Sequence, residues 1–210
     1  IVLHAYKYSS DMVQVTYELL RDAIIDIPSM IGAALGERIS RQTNLHFTTG
    51  DGAAKPYGIT QRTALGVTAV SATAVTADEV ALDLVHSVDP AYRQGAMFMF
   101  ADSTLKALRK LKDGNGNYIW QGAISGGPPA TIGDFPYIIN QDMPAIATGN
   151  KSIVFGQLKT YKIRDVAEVR LRRLDERYAE NDLTAFVMLS SHDGNLIDAG
   201  TNPVKHLIQA

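Results

Sequence analysis

The sequence predicts a protein of mixed α and β structure, α+β in class, and three observations carry that expectation. Apolar side chains recur at one-turn spacing over 29–44, 76–90 and 103–112. They alternate with polar ones over 13–17, interleave with charges over 164–177, and form short continuous runs at 95–101, 183–189 and 204–208. The composition, 46% hydrophobic and 20% charged over 210 residues, is enough for a sizeable core in one or two domains.

Val13, Val15 and Tyr17 alternate with Gln14 and Thr16, and the pattern turns helical through Glu18 to Ala23. Pro28 interrupts it, and Ser29 is placed to cap a helix with Ile31, Leu35, Ile39 and Gln42 on one face. Gly50-Asp51-Gly52 then requires a tight turn, and Pro56-Tyr57-Gly58 prolongs the irregular stretch. The uncharged stretch 63–77, rich in Thr, Ser and Ala, reads as a linker or exposed strand pair. Thr76 and Glu79 stand at capping-box spacing, with Val80, Leu84 and Val88 one turn apart up to Pro90.

Gly95 to Ala101 is a continuous apolar run, suited to a strand covered on both faces. Asp102 or Ser103 caps the next helix, with Leu105, Leu108 and Leu111 as its stripe. Lys106, Arg109, Lys110 and Lys112 gather at its C-terminal end, where cations suit the helix dipole. Short apolar pieces separated by Gly and Pro over 118–156 predict short strands and long loops. A long strand with mixed charges is expected over 159–182, then an apolar strand at 183–189. A turn is expected at His192-Asp193-Gly194-Asn195, and a last strand after Pro203.

Several function classes are disfavoured by the residues. Lys and Arg number 20 against 22 Asp and Glu, so no bulk basic field exists to hold nucleic acid tightly by counterion release. There is no cysteine, hence no disulfide, thiolate metal site or thiol nucleophile. No run approaches the roughly 18 to 20 apolar residues that span a bilayer. The N-terminus has neither an initiator Met nor signal-peptide features, so the chain is expected to begin in mid-domain. His4, His46, His86, His192 and His206 are scattered, none at the spacing with which two imidazoles on a helix grip a metal.

No nucleophile elbow, phosphate-binding loop or dinucleotide fingerprint is present. Gly50-Asp51-Gly52 lacks the further oxygens of a calcium loop and reads as a turn. The Gly/Pro run 125–129 reads as a connector. The basic helix end near Lys112 fits phosphate contact or dipole complementarity, and the mixed-charge stretch 159–182 fits a solvated face or a salt-bridged subunit contact.

The order of several segments resembles the major capsid proteins of tailed bacteriophages and prophages, the Hong Kong 97 type. Val13 to Asp22 is similar to that family's strand entering Ser/Thr-x-Glu-Leu-Leu-x-Asp. The helix from about Ser29 to Asn44 is similar to its spine helix. Phe47 to Gly52 and Pro56-Tyr57-Gly58-Ile59 are similar to the turn that follows. Asp83-Leu84-Val85, Pro90 to Ala96, Leu105 to Asp113, Gly116 to Gln121, Gly133 to Pro136, Asn140 to Pro144 and Phe155-Gly156 continue the series in order.

The resemblance implies a structural protein with no enzymatic activity and no cofactor. It would be the C-terminal part of a shell subunit, in virions and, during assembly, in the host cytoplasm. Implied domains are the end of an extended loop at 1–10, a peripheral domain with the spine helix and a long β-sheet over 11–75, and an inserted axial domain over 76–158. The peripheral domain resumes over 159–210, with the last strand, 203–210, free to return to the axial domain. Implied partners are further copies in hexamers and pentamers, scaffolding, portal and maturation protease. Packaged double-stranded DNA is bound without sequence reading, and no membrane is implied.

Without most of the extended loop, this chain is expected to associate weakly by itself. The family's cross-link Asn best matches Asn181, but the assisting Glu position falls near Met188, which removes the base. An encapsulin-like shell with protein cargo is the alternative within the fold. An enzyme with a site assembled from dispersed acids and histidines is the alternative outside it.

Overall fold

The structure is a computed structural model that describes residues 3–119, 131–166, 169–198 and 200–210. Trp120-Gln121, the run 125–129, Glu168 and Ile1-Val2 lie outside the described residues. The chain divides into two compact units, Ile1–Gly58 with Ile163–Asn195, and Ile59–Lys162 with Leu196–Ala210.

The first unit is a helix on a sheet. Strand β10 (Leu183–Leu196) is central. Strands β1 (Tyr6–Ser9) and β2 (Val13–Thr16) pair antiparallel with it in tandem along one edge. Strands β8 (Tyr161–Asp165) and β9 (Arg170–Tyr178) pair along the other. The 159–182 stretch is therefore two strands and a closing 3-10 turn, Ala179–Asn181, where one long strand was expected. The expected turn at 192–195 is also absent. Residues 192–195 continue β10, because buried Asp193 accepts the backbone N–H groups of His4 and Gly194 and ties the strand to the N-terminal segment.

Thr16 caps the short helix α1 (Tyr17–Asp22) through Leu19 N–H, and helix α2 (Ile27–Thr49) follows. Its N-cap is Asp26, not Ser29: the Asp26 carboxylate accepts Ser29 N–H at 3.3 Å, and Pro28 sits in the first turn, where its missing N–H costs nothing. The helix runs beyond Asn44 to Thr49, where the Thr48 and Thr49 hydroxyls donate to the carbonyls of Asn44 and Leu45 four residues back. Ile27, Ile31, Leu35, Ile39 and Thr43 form the buried row against Phe186 and Met188 of β10. Gln42 is exposed and Thr43 holds its expected place. Each buried aliphatic side chain contributes about 1.5–3 kcal/mol.

The second unit is built on a six-stranded mixed sheet whose central strands are buried on both faces. The order is β3 (Ala64–Thr68), β11 (Val204–Ile208), β7 (Lys151–Gly156), β4 (Met97–Phe100), β6 (Phe135–Ile139) and β5 (Thr131–Ile132). Ala64–Thr68 is a paired strand, where a linker or exposed strand pair was expected, because its backbone is taken up by parallel pairing with β11. Phe98, Phe100, Ile153 and Phe155 face a core with Val80, Leu84, Leu105 and Leu108. Met99 and Val154 face the opposite core with Ile59, Met143 and Val204.

The capping box forms as expected. Thr76 Oγ1 accepts Glu79 N–H, and Glu79 returns its carboxylate to the N–H groups of Thr76 (2.8 Å) and Val70 (2.7 Å). After a short helix α3 (Ile59–Arg62), this helix begins as a π turn, Glu79–Asp83, and continues as α4 (Leu84–Ser87). Helix α5 (Asp102–Arg109) starts after Ala101, with neither Asp102 nor Ser103 as the cap residue, and buries Leu105 and Leu108.

His206, in β11, is buried against Thr63. The Thr63 hydroxyl gives its hydrogen to Thr60 O, so His206 Nδ1–H is assigned as the donor to Thr63 Oγ1 at 3.0 Å. Burial, then the nearby Lys151 ammonium, pushes the imidazole down from 6.5 to about 4. The unfolded chain takes that proton near pH 6.5 and the folded chain does not, so stability is full above that pH and is lost as pH falls toward 4. Unfolding free energies from urea titrations at pH 7 and 4.5 are expected to differ by on the order of 2 kcal/mol from this group, and His206→Asn to abolish most of the difference.

Candidate assembly surface

Fourteen residues of β10 span about 46 Å, and side chains alternate across its two faces. The α2 side holds Phe186 and Met188, with Leu171 of β9 paired to Met188 and packed against Gly32. The other side carries Val187, Leu189 and Ser191, whose register partners are Arg172, Arg170 and Lys7. Lys7, Arg170 and Arg172, with Val166, Leu189, Ser190 and Ser191, line a groove of about 220 Å³.

Near the turn, Tyr178 pairs with Leu183 and Leu174 with Ala185, so residues 175–177 stand opposite Thr184 alone. Asp175 there accepts from Arg173 Nε at 2.7 Å and from the Thr184 hydroxyl at 3.1 Å. Chiefly through Arg173, its carboxyl is held below the usual range. Of the mixed charges in this stretch, these pair within the chain, and the remaining arginines of β9 are exposed.

β1 pairing collects titratable groups that the sequence leaves scattered. Tyr8 OH and His46 Nδ1 lie 2.8 Å apart, and the Tyr8 ring stands 5.5 Å from that of His46 and 5.7 Å from that of His192. His192 Nδ1 meets Asp165 at 2.6 Å. Burial and the Asp193 carboxylate push the Tyr8 hydroxyl up to about 12, and burial with Lys55 pushes His46 down. Neutral tyrosine and neutral imidazole make a structural clamp on β1. Buried Ser190 Oγ, on the same strand, has no hydrogen-bond partner, so neither histidine activates it as a nucleophile.

His4 and His206 serve as backbone donor and core side chain, and His86 is exposed. Among the described residues no group of three or more His, Asp or Glu could hold a metal ion, and no helix is long and apolar enough to cross a membrane. In the second unit an apolar hollow of about 180 Å³ lies between Val80, Leu108, Leu111, Ile119 and Ile132, with no titratable group in its described lining.

Asn181 ends the 3-10 turn of the β9–β10 hairpin and is exposed. Met188 is buried among Ile31, Leu35 and Phe186. The sequence missed the basic groove, because Lys7 and Arg172 meet only through two strand registers, and a pattern over neighbouring residues carries no such signal. It also missed the exposed apolar turn Ile24-Ile25 between α1 and α2, where Ile24 is fully exposed.

The two units are a helix-backed antiparallel sheet and a mixed sheet whose central strands are covered on both faces. Residues 2–207 match the Phage capsid family, and the chain belongs to it. The capsid of an empty GTA particle, solved with C5 symmetry, is 26% identical with a TM-score of 0.89, covering 100% of this chain and 75% of that one. The capsid of the native GTA particle gives the same identity and score, covering 100% and 74%. A chain of Mycobacterium phage Cain is 16% identical, with a TM-score of 0.73, covering 99% and 73%. No curated protein matches the sequence. The fold is the Hong Kong 97 type and the protein is a structural capsid protein, not an enzyme. Its place is the shell of the virion.

Proposed function

We propose that copies of the complete gene product tile an icosahedral shell that holds double-stranded DNA, assembling in the host cytoplasm with scaffolding, portal and maturation protease. The observation that carries this is the 26% identity and 0.89 TM-score, over the whole chain, to the capsid of a particle solved with fivefold symmetry. Shell strength then comes from many modest contacts repeated by symmetry. The first unit is the peripheral domain, with α2 as its spine helix, and the second is the axial domain. Residues 1–10 end the extended loop. Near-equal numbers of acidic and basic residues suit a lining that contains DNA without gripping or reading it.

Asn181 is the cross-link candidate, and no cross-link is expected there. The assisting carboxylate's position matches Met188, which is buried, so no carboxylate there would take the proton from the lysine amine as it attacks the Asn181 amide and displaces ammonia. Purified particles are expected to run on denaturing gels as monomer bands without covalent ladders, and to protect double-stranded DNA from nuclease. Ladders would restore Asn181 to an active role. Particles holding a protein cargo and no DNA would overturn the genome reading in favour of an encapsulin-like shell.

A further inference from the structure

Two surfaces of the first unit are complementary to each other and cannot meet within one copy. The first is the turn between α1 and α2. Ile24 and Ile25 project there, with Tyr17 and Leu19 also exposed nearby. Glu18, Asp22 and Asp26 surround them, against the single cation Arg21, which is paired to Asp22 at 2.7 Å. The second is the groove of Lys7, Arg170 and Arg172 beside Val166 and Leu189, with no carboxylate among the described residues of its lining. Its volume, about 220 Å³, exceeds the roughly 150 Å³ that admits a benzene and is room for a branched apolar side chain.

The turn leads directly into α2, and α2 covers the face of the sheet that holds Phe186 and Met188. The groove lies by Leu189 and Ser191, whose side chains alternate onto the opposite face. A single copy therefore cannot fill its own groove. The acids that flank the turn disfavour an anionic lipid surface and favour a cationic rim.

We infer that the Ile24-Ile25 turn of one copy seats in the Lys7/Arg170/Arg172 groove of the next. This rests on the shell reading and specifies one of its contacts. Because the two surfaces differ, the contact is heterologous, and repetition closes into a ring when the rotation allows. Apolar insertion fixes the position, while the charged rims select the partner and exclude like-with-like docking.

The sequence has no cysteine, so the contact can be trapped selectively. Chains carrying Ile24→Cys and chains carrying Arg172→Cys are mixed and oxidised. The mixed disulfide dimer is expected to exceed the dimer from either variant alone by about tenfold or more, since like pairs do not meet in a heterologous contact. Lys7→Glu with Arg170→Glu in the groove partner is expected to lower trapping about tenfold, and Glu18→Lys with Asp22→Lys in the turn partner to restore it. Restoration distinguishes charge pairing from misfolding, and its failure overturns the electrostatic part. Absence of the mixed dimer, or equal dimer from Ile24→Cys alone, overturns the inference whether or not particles form. A mixed dimer without particles from the complete gene product overturns the shell reading alone.

Discussion

Replacing Phe155 by alanine is expected to lower the stability of the second unit by about 3–5 kcal/mol. Phe155 lies in β7, between β11 and β4, and is fully buried. Its ring stands 4.5 Å from that of Phe98 and 5.0 Å from that of Phe135, so the substitution removes transfer energy and two aromatic contacts and leaves a cavity. Sheet strands on both sides prevent collapse into the space. Urea unfolding followed by hydrogen exchange is expected to show early exposure of 97–100, 135–139 and 204–208. The protection of α2 in the first unit should remain, and equal loss in both units would contradict two separate cores.

Gly58→Ala is expected to destabilise the first unit by about 3 kcal/mol. A methyl at Gly58 would lie 2.5 Å from Thr49 N and 2.6 Å from Thr48 C, backbone atoms at the end of α2 that have no rotamer with which to yield. Gly58 N–H bonds Gly50 O at 2.7 Å, and Gly50 N–H bonds His46 O at 2.8 Å, so the 50–58 loop is closed directly onto the helix end. Gly114→Ala, with nothing within 4 Å of the added carbon, is the control and is expected to change stability by less than about 0.5 kcal/mol. Comparable thermal melts for the two variants would show that the close approach is not a constraint.

The elements that repeat locally were legible in the sequence. One-turn spacing marks α2, and the capping box Thr76/Glu79 forms both reciprocal bonds. The apolar run before Ala101 is a strand covered on both faces. What was missed depends on distant partners. Asp193-Gly194-Asn195 has turn composition, yet the backbone N–H of His4 reaches Asp193 and the strand runs on. Ser29 is a good cap, but Asp26 stands three residues earlier with Pro28 inside the turn. The basic groove follows from the registers of β1 and β9 on β10, set by core packing on the far face. Ordered family-like segments reached the function without any of these, because a capsid subunit is recognised by its succession of elements and not by a reactive cluster.

Negative-stain electron microscopy of the complete gene product, expressed with its neighbouring genes and fractionated by size, tests the central claim most directly. Closed shells, with pentameric or hexameric rings as their intermediates, are the predicted result. Small discrete oligomers under every assembly condition would contradict it.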